Sequence, residues 1–258
     1  MNEAPVQGSP PEPVAQPRVR IALPAPVPTV TYALLGFTIL IYVLQLGSVL
    51  TLGYPMGQLD WLEYFGARIN PAIRGGEIWR LITPVFLHAS PPHIFFNMYG
   101  LLALGSALER YFGHGRFLGL YLLAGFSGNV LSFVLGDDNG YSVGASTAIF
   151  GLAAAEGVFL FQNRGILGDQ VRRGIGNIVF IVVINLMIGL TPGIDNLGHI
   201  GGLLGGLIFT SMAGPKWEFE GLPPDLRLVD RREFRDILTG AAAVVLIFGL
   251  LAAWGIVA

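Results

Sequence analysis

The chain has 258 residues, of which 53% are hydrophobic and 12% charged, with a mean hydropathy of +0.62 and a net charge of −2. A soluble domain carries about 25% charged residues, so this composition marks a polytopic membrane protein and excludes a basic nucleic-acid-binding chain. The absence of cysteine excludes disulfides, thiol catalysis and cysteine-ligated zinc.

Residues 1–28 hold eight of the seventeen prolines, which predicts an extended or disordered tail because proline prevents helix formation and opposes burial. Arg18 and Arg20 then precede an apolar run over 29–50. That run is longer than a signal-peptide core of about 7–15 residues and reads as a retained transmembrane helix. A bilayer core takes about 20 apolar residues per helix. Six further runs come close to that length, at 93–112, 116–136, 144–161, 175–192, 196–213 and 237–257. The runs at 144–161 and 196–213 are short and glycine-rich, as spans beneath a water-filled cavity often are.

Between the first two runs, residues 51–92 hold Tyr54, Trp61, Tyr64, Phe65, Trp79 and Phe86 among few charges. This predicts a membrane-associated outer loop at headgroup level; a folded extramembrane loop with its own small core is the alternative. Residues 214–236 are highly charged and read as a cytoplasmic connector to a seventh helix at 237–258. The expected fold class is therefore all-α, a polytopic helical bundle with one core over 29–213.

Loop charges orient the map. With the N-terminus inside, the inner segments hold Arg18, Arg20, Arg110, Arg116, Arg164, Arg172, Arg173, Lys216, Arg227, Arg231, Arg232 and Arg235. The outer segments hold only Arg68, Arg74 and Arg80. Such a positive-inside bias predicts a cytoplasmic N-terminus and an external C-terminus, in a membrane of the bacterial plasma type.

Under this topology three unusual polar groups fall at one depth near the outer surface. His93 and Asn97 are four apart and share a face of the second helix. Ser146 opens the fourth helix and His199 the sixth. Ionisable groups at membrane depth are costly and default to a functional reading, and a histidine beside a serine hydroxyl can activate it as a nucleophile. Gly198, Gly202 and Gly206 recur at four, as do Gly201 and Gly205, and Gly144, Ala148 and Gly151 lie near Ser146. Small residues at this spacing let helix backbones approach closely, which would bring a short serine side chain to an imidazole; plain helix packing explains the same stripes. Asn97, His93 and the Ser146 N–H are candidate oxyanion donors, with interhelical bonding the other reading of Asn97. Ser90-Pro91-Pro92 reads as the start of the second helix, with Ser90 as N-cap.

Four segments resemble the rhomboid intramembrane serine proteases, in family order. They are Gly75-Gly76-Glu77-Ile78-Trp79-Arg80-Leu81-Ile82-Thr83-Pro84-Val85-Phe86-Leu87-His88, His93-Ile94-Phe95-Phe96-Asn97-Met98, Gly144-Ala145-Ser146-Thr147-Ala148-Ile149-Phe150-Gly151 and Asn196-Leu197-Gly198-His199-Ile200-Gly201-Gly202. The resemblance spans about 75–210 and implies a six-helix rhomboid core plus a C-terminal seventh transmembrane helix. It implies a Ser146–His199 catalytic dyad without a carboxylate, and His93 and Asn97 lining the oxyanion site. Clients would be transmembrane protein substrates in the bilayer, and neither metal nor other cofactor is implied. Glu109-Arg110 resembles an acidic-basic pair of the family and reads as structural. Gly198 stands where the family often has alanine. Phe150 stands where an aromatic residue, often tyrosine, stacks on the base; the ring is kept and the hydroxyl lost. Asp195, four residues before His199, is a candidate orienting carboxylate by its spacing, although it falls in the outer loop.

Other classes fit less well. There is no His-Glu-x-x-His of a zinc protease, and the sole lysine, Lys216, lies in a loop, which excludes a retinal protein. A small-solute transporter with glycine-broken helices and a non-catalytic rhomboid-like client-binding protein remain as alternatives. Client identity, cleavage preference and oligomeric state are not encoded in readable form.

Overall fold

The computed structural model describes residues 26–53, 59–222 and 225–258. The expected extended tail therefore falls almost wholly outside the described residues, as does Tyr54. The first helix, α1 (Thr29–Leu52), buries Thr31, Leu34, Thr38, Tyr42 and Gln45, a stripe at helical spacing. Its first turn has no cap of its own. Instead the buried Glu109 carboxylate accepts from the Val30 and Thr31 N–H groups at 2.8 and 2.7 Å and from the Thr31 hydroxyl at 2.6 Å. An anion there satisfies orphan donors and complements the helix dipole. Glu109 of the acidic-basic pair is thus a structural clamp, whereas its neighbour Arg110 is exposed.

The segment after α1 is folded. It contains α2 (Trp61–Gly66), the short strand β1 (Arg68–Ile69), α3 (Asn70–Arg74) and two 3₁₀ turns over Ile78–Leu81 and Thr83–Phe86. Asp60 caps α2 in a reciprocal capping box with Glu63. Arg80 is buried and donates to the Ala67 and Tyr64 carbonyls at 2.8 and 2.6 Å and to Glu77 at 2.7 Å. Its interior combines these hydrogen bonds with the buried side chains of Ile73, Leu81, Val85 and Leu87. Trp61, Tyr64, Phe65, Ile78 and Trp79 remain exposed, an apolar rim of the kind expected at headgroup level.

The second span runs as α4 (Pro91–Gly100), a π turn over Leu101–Gly105 and α5 (Ser106–Phe112). Ser90 caps α4 and prolines fill its first turn. The i→i+5 bonding of the π turn directs both Gly100 and Gly105 at neighbours, Ile149 for the first and Phe117 and Thr31 for the second. This break is not readable in the sequence. Next come α6 (His114–Leu135), a short strand β2 (Tyr141–Ser142) paired antiparallel with β1, and α7 (Ser146–Gln162). They are followed by α8 (Arg164–Leu167), α9 (Gln170–Ile188) and α10 (Asn196–Ala213).

The stretch after α10 is more ordered than a connector. Strands β3 (Trp217–Glu220) and β4 (Arg227–Asp230) form an antiparallel hairpin before α11 (Phe234–Val257). Among the described residues, α1, α6, α9 and α11 are each long and apolar enough to cross a membrane, and α7 is a shorter apolar helix. The protein is an all-α integral membrane bundle with α11 added to a six-helix core; the two small sheets only join loops.

The centre of the bundle is the junction of α6, α7 and α10. A Cβ at Gly202 or Gly206 would overlap the carbonyls of Thr147 and Gly151 on α7. One at Gly201 would lie 2.6 Å from the Ser127 carbonyl oxygen on α6, and one at Gly205 would meet the Ser127 side chain. The two glycine stripes of α10 thus serve different partners, one each.

Candidate active site

Ser146 is the first residue of α7, so its N–H and the next two lack acceptors within the helix. The approach to it is forced into one path. Gly144 has φ +129°, a conformation L side chains rarely adopt, and a Cβ there would lie 2.7 Å from the His93 Nε2. The Gly144 N–H donates to the Pro84 carbonyl at 2.9 Å, tying the approach to the segment before α4.

His199 sits in the first turn of α10, where Gly198 and Gly202 bring its backbone against Thr147. The buried imidazole places Nε2 2.9 Å from the Ser146 Oγ, within hydrogen-bond range. Its ring stacks on Phe150 with centroids 4.1 Å apart and planes 8° apart. The other ring nitrogen, Nδ1, is buried and makes no hydrogen bond. Asp195 does not orient the ring: its carboxylate caps α10 by accepting from the Gly198 N–H at 2.8 Å and accepts from the Ser132 hydroxyl at 2.5 Å. It also lies 3.8 Å from the buried Arg68. Its influence on His199 passes through the helix start, where the Asp195 carbonyl accepts the His199 N–H at 3.2 Å.

His93 and Asn97 lie one turn apart on α4, as their spacing predicts. The His93 ring and the Ser146 Oγ bracket the same point above Gly144. Asn97 is buried and donates from Nδ2 to the His93 carbonyl at 3.0 Å, leaving its second amide hydrogen free of that bond. Ser146, His199, Phe150 and His93 thus converge on one spot, and Asn97 lies one turn beyond His93 on α4. Such a set can deprotonate a hydroxyl and offer N–H donors to an adjacent developing oxyanion.

Two supporting residues were not singled out by sequence reasoning. His88 is buried, with its ring edge-to-face on His93 at 5.1 Å, and its Nε2 accepts from the Ala145 N–H at 3.4 Å. Burial, and then the neighbouring His93, push its pKa down to about 3, which keeps that nitrogen an acceptor. Gln45 of α1 clamps His88 from behind. Its Oε1 accepts from the His88 N–H at 3.1 Å, and its Nε2 donates to Asp60 at 2.7 Å. A chain of hydrogen bonds thus runs from α1 and α2 to the residue before Ser146. The available signal was a lone glutamine in an apolar helix, on the same stripe as Thr31, Thr38 and Tyr42.

These features define an integral membrane helical bundle with a half-buried serine beside a buried imidazole at the ends of two glycine-packed helices. A model of the rhomboid domain matches residues 75–216, and the chain belongs to the rhomboid family. It is similar to Rhomboid protease GluP of Bacillus subtilis (strain 168), 41% identical over 189 residues that cover 72% of this chain and 35% of that protein. It is also similar to Rhomboid-like protease 1 of Toxoplasma gondii, 41% identical over 148 residues, 56% of this chain and 50% of the relative. RHOMBOID-like protein 2 of Arabidopsis thaliana is 33% identical over 202 residues, 77% of this chain and 61% of the relative. The chain thus spans between about a third and three fifths of the length of these relatives.

Proposed function

We propose that this chain is an intramembrane serine endopeptidase that cleaves client proteins in or near their transmembrane helices. The observation that carries this reading is the Ser146 Oγ at 2.9 Å from the His199 Nε2, with the imidazole stacked on Phe150. Two of the relatives bear the word protease in their names. His199 takes the Ser146 proton as the oxygen attacks the scissile carbonyl. The tetrahedral oxyanion receives hydrogen bonds from the Ser146 N–H, the Asn97 amide and the His93 ring. Collapse breaks the C–N bond, His199 returns the proton to the leaving amine, and an acyl-enzyme ester on Ser146 remains. Water, deprotonated by His199, then releases the acid and restores the serine. Stacking on Phe150 holds the imidazole in the place a carboxylate takes in a triad.

The loop-charge asymmetry supports a cytoplasmic N-terminus, with the site opening outward in a bacterial-type plasma membrane. The exposed aromatic rim supports docking of residues 51–92 at the headgroups. A helical client hides its carbonyls in backbone hydrogen bonds, so cleavable clients contain glycine or proline that lets the helix unwind near the cut. Replacing those residues by leucine is expected to abolish cleavage.

The direct test is labelling of the purified chain in detergent with a fluorescent fluorophosphonate, which requires an activated serine. Labelling is expected in the wild type and lost in both Ser146→Ala and His199→Ala. A folded wild type that does not label would favour a non-catalytic client-binding protein, and labelling that survives Ser146→Ala would put the nucleophile elsewhere.

A further inference from the structure

At the end of the bundle opposite Ser146, a cavity of about 460 Å³ is lined by Phe161, Gln162, Arg164, Gly165, Lys216 and Arg232. It lies at the far ends of the two helices that carry Ser146 and His199; α7 is 17 residues long, which at about 1.5 Å per residue separates the two sites by roughly 25 Å. Three cations from three different elements line one opening: Arg164 follows α7, Lys216 follows α10 and Arg232 precedes α11.

The cations are held in place by the fold. Asp230 accepts at Oδ1 from the backbone N–H groups of both Lys216 and Arg232, each at 3.0 Å, while its Oδ2 pairs with Arg116 at 2.8 Å. The Arg231 N–H donates to the Lys216 carbonyl at 2.9 Å, closing the base of the β3–β4 hairpin. Arg232 donates from one terminal nitrogen to the Ser211 carbonyl at 2.9 Å, and Gln162 donates to the same carbonyl at 3.0 Å. Arg164 is positioned over the Phe161 ring at 4.4 Å and donates to the Phe161 carbonyl at 2.9 Å. Two carboxylates lie nearby, Asp230, paired with Arg116, and Glu218, 4.0 Å from the Lys216 Nζ and paired with Arg231, so the three cations keep a net positive charge. Two buried atoms of the lining residues, the Arg232 Nε and the Gln162 Oε1, make no hydrogen bond.

Three cations from three elements around one opening at the end of a membrane bundle suit an anion. We infer that this cavity binds the phosphate of an anionic glycerophospholipid headgroup. Arg232 and Arg164 grip phosphate oxygens, and Lys216 adds a point charge. Phe161 of the lining is an exposed apolar side chain that an acyl chain can cover. Basic pockets between helix ends are suited to such lipids, and each cation near a membrane surface contributes about five-fold in anionic-lipid affinity.

The test uses the full chain in neutral detergent, titrated with phosphatidylglycerol or phosphatidylcholine, with bound lipid counted by native mass spectrometry. The wild type is expected to retain one phosphatidylglycerol saturably and to prefer it over phosphatidylcholine. The triple variant R164Q/K216Q/R232Q is expected to lose about a hundred-fold in that affinity. R172Q/R173Q, which changes exposed cations outside the cavity, is expected to stay within about two-fold of the wild type. Circular dichroism and gel filtration establish that the variants are folded, and R232K gives an intermediate loss that a folding defect would not. Displacement of the lipid by millimolar inorganic phosphate would assign the site to the free anion, and retention would assign it to the lipid. Equal binding by wild type and triple variant, or equal weakening by the R172Q/R173Q pair, would overturn the inference.

Discussion

Helices α6 and α9 have the same mean hydropathy, yet 56% of the apolar window of α6 is buried inside the protein against 6% of that of α9. Hydropathy states that a segment can cross a bilayer; it does not state which neighbours the segment has. The difference lies in small residues. A Cβ at Gly125 or Gly128 of α6 would meet Val85, Thr147 or the Gly198 carbonyl, whereas one at Gly176 of α9 would meet nothing. Lipid tails are as apolar as leucine, so close backbone approach, and not hydrophobicity, decides which helices pack. The Ser146–His199 pair is built on the packed side of this divide, with α9 attached mainly to α7.

The largest expected effect comes from placing the same substitution on the two sides. Gly202→Val drives a branched side chain into the Thr147 carbonyl, a backbone group that cannot rotate away. A loss of more than about 3 kcal/mol is expected, with fluorophosphonate labelling abolished. Gly176→Val meets open space and is expected to change thermal stability by less than about 0.5 kcal/mol. Equal sensitivity at both sites would break the comparison.

Buried polar clamps should divide in the same way. Gln45→Leu strands the His88 N–H and one Asp60 oxygen, which is expected to cost about 1–3 kcal/mol in denaturation assays and to slow labelling. On α9, Asn185 is exposed and bonds only the Ile181 carbonyl of its own helix at 2.8 Å. Asn185→Leu is therefore expected to be near neutral in the same assay. Aromatic rings give a smaller contrast. Phe150→Leu keeps an apolar side chain and removes the stack on His199, so the labelling rate should fall by up to about ten-fold. Phe180→Leu, at a 66% exposed ring of α9, should leave that rate unchanged.

A further effect, confined to one pH window, is a pH dependence in the folded loop. Burial is the main cause that raises the Glu63 pKa, to about 7, and the Asp60 charge adds to it. The folded state therefore binds more protons than the unfolded state between about 4.5 and 7, and this contribution to stability falls as pH rises through that window. His88, held near 3, acts in the opposite sense below its ordinary value of 6.5. Glu63→Gln should flatten the loss towards neutral pH in thermal melts across the range; an unchanged slope would assign the titration to another group.

The apolar runs, the glycine stripes of α10 and the shared face of His93 and Asn97 were all legible, because each is a local periodicity. The role of Asp195 was not. Its spacing from His199 suggested a shared face, but one residue of distance from a helix start makes a carboxylate a cap before it makes it a ring partner. Residues 214–236 read as connector since charge density masks a strand pair of four residues each. The π turn at Leu101–Gly105 has no sequence signature, because the same apolar residues would serve an unbroken helix.

The sequence by itself determined that the chain is an apolar helical bundle, where its apolar runs lie, and which serine and histidine stand out, since burial cost and helical period act residue by residue. Only the tertiary structure decided that one α10 stripe meets α7 and the other α6, that Glu109 caps α1, and that Gln45 holds His88 beneath Ala145. Each of those contacts joins residues distant in the chain. Which distant pairs meet depends on how whole helices settle against one another, and no local pattern carries that information.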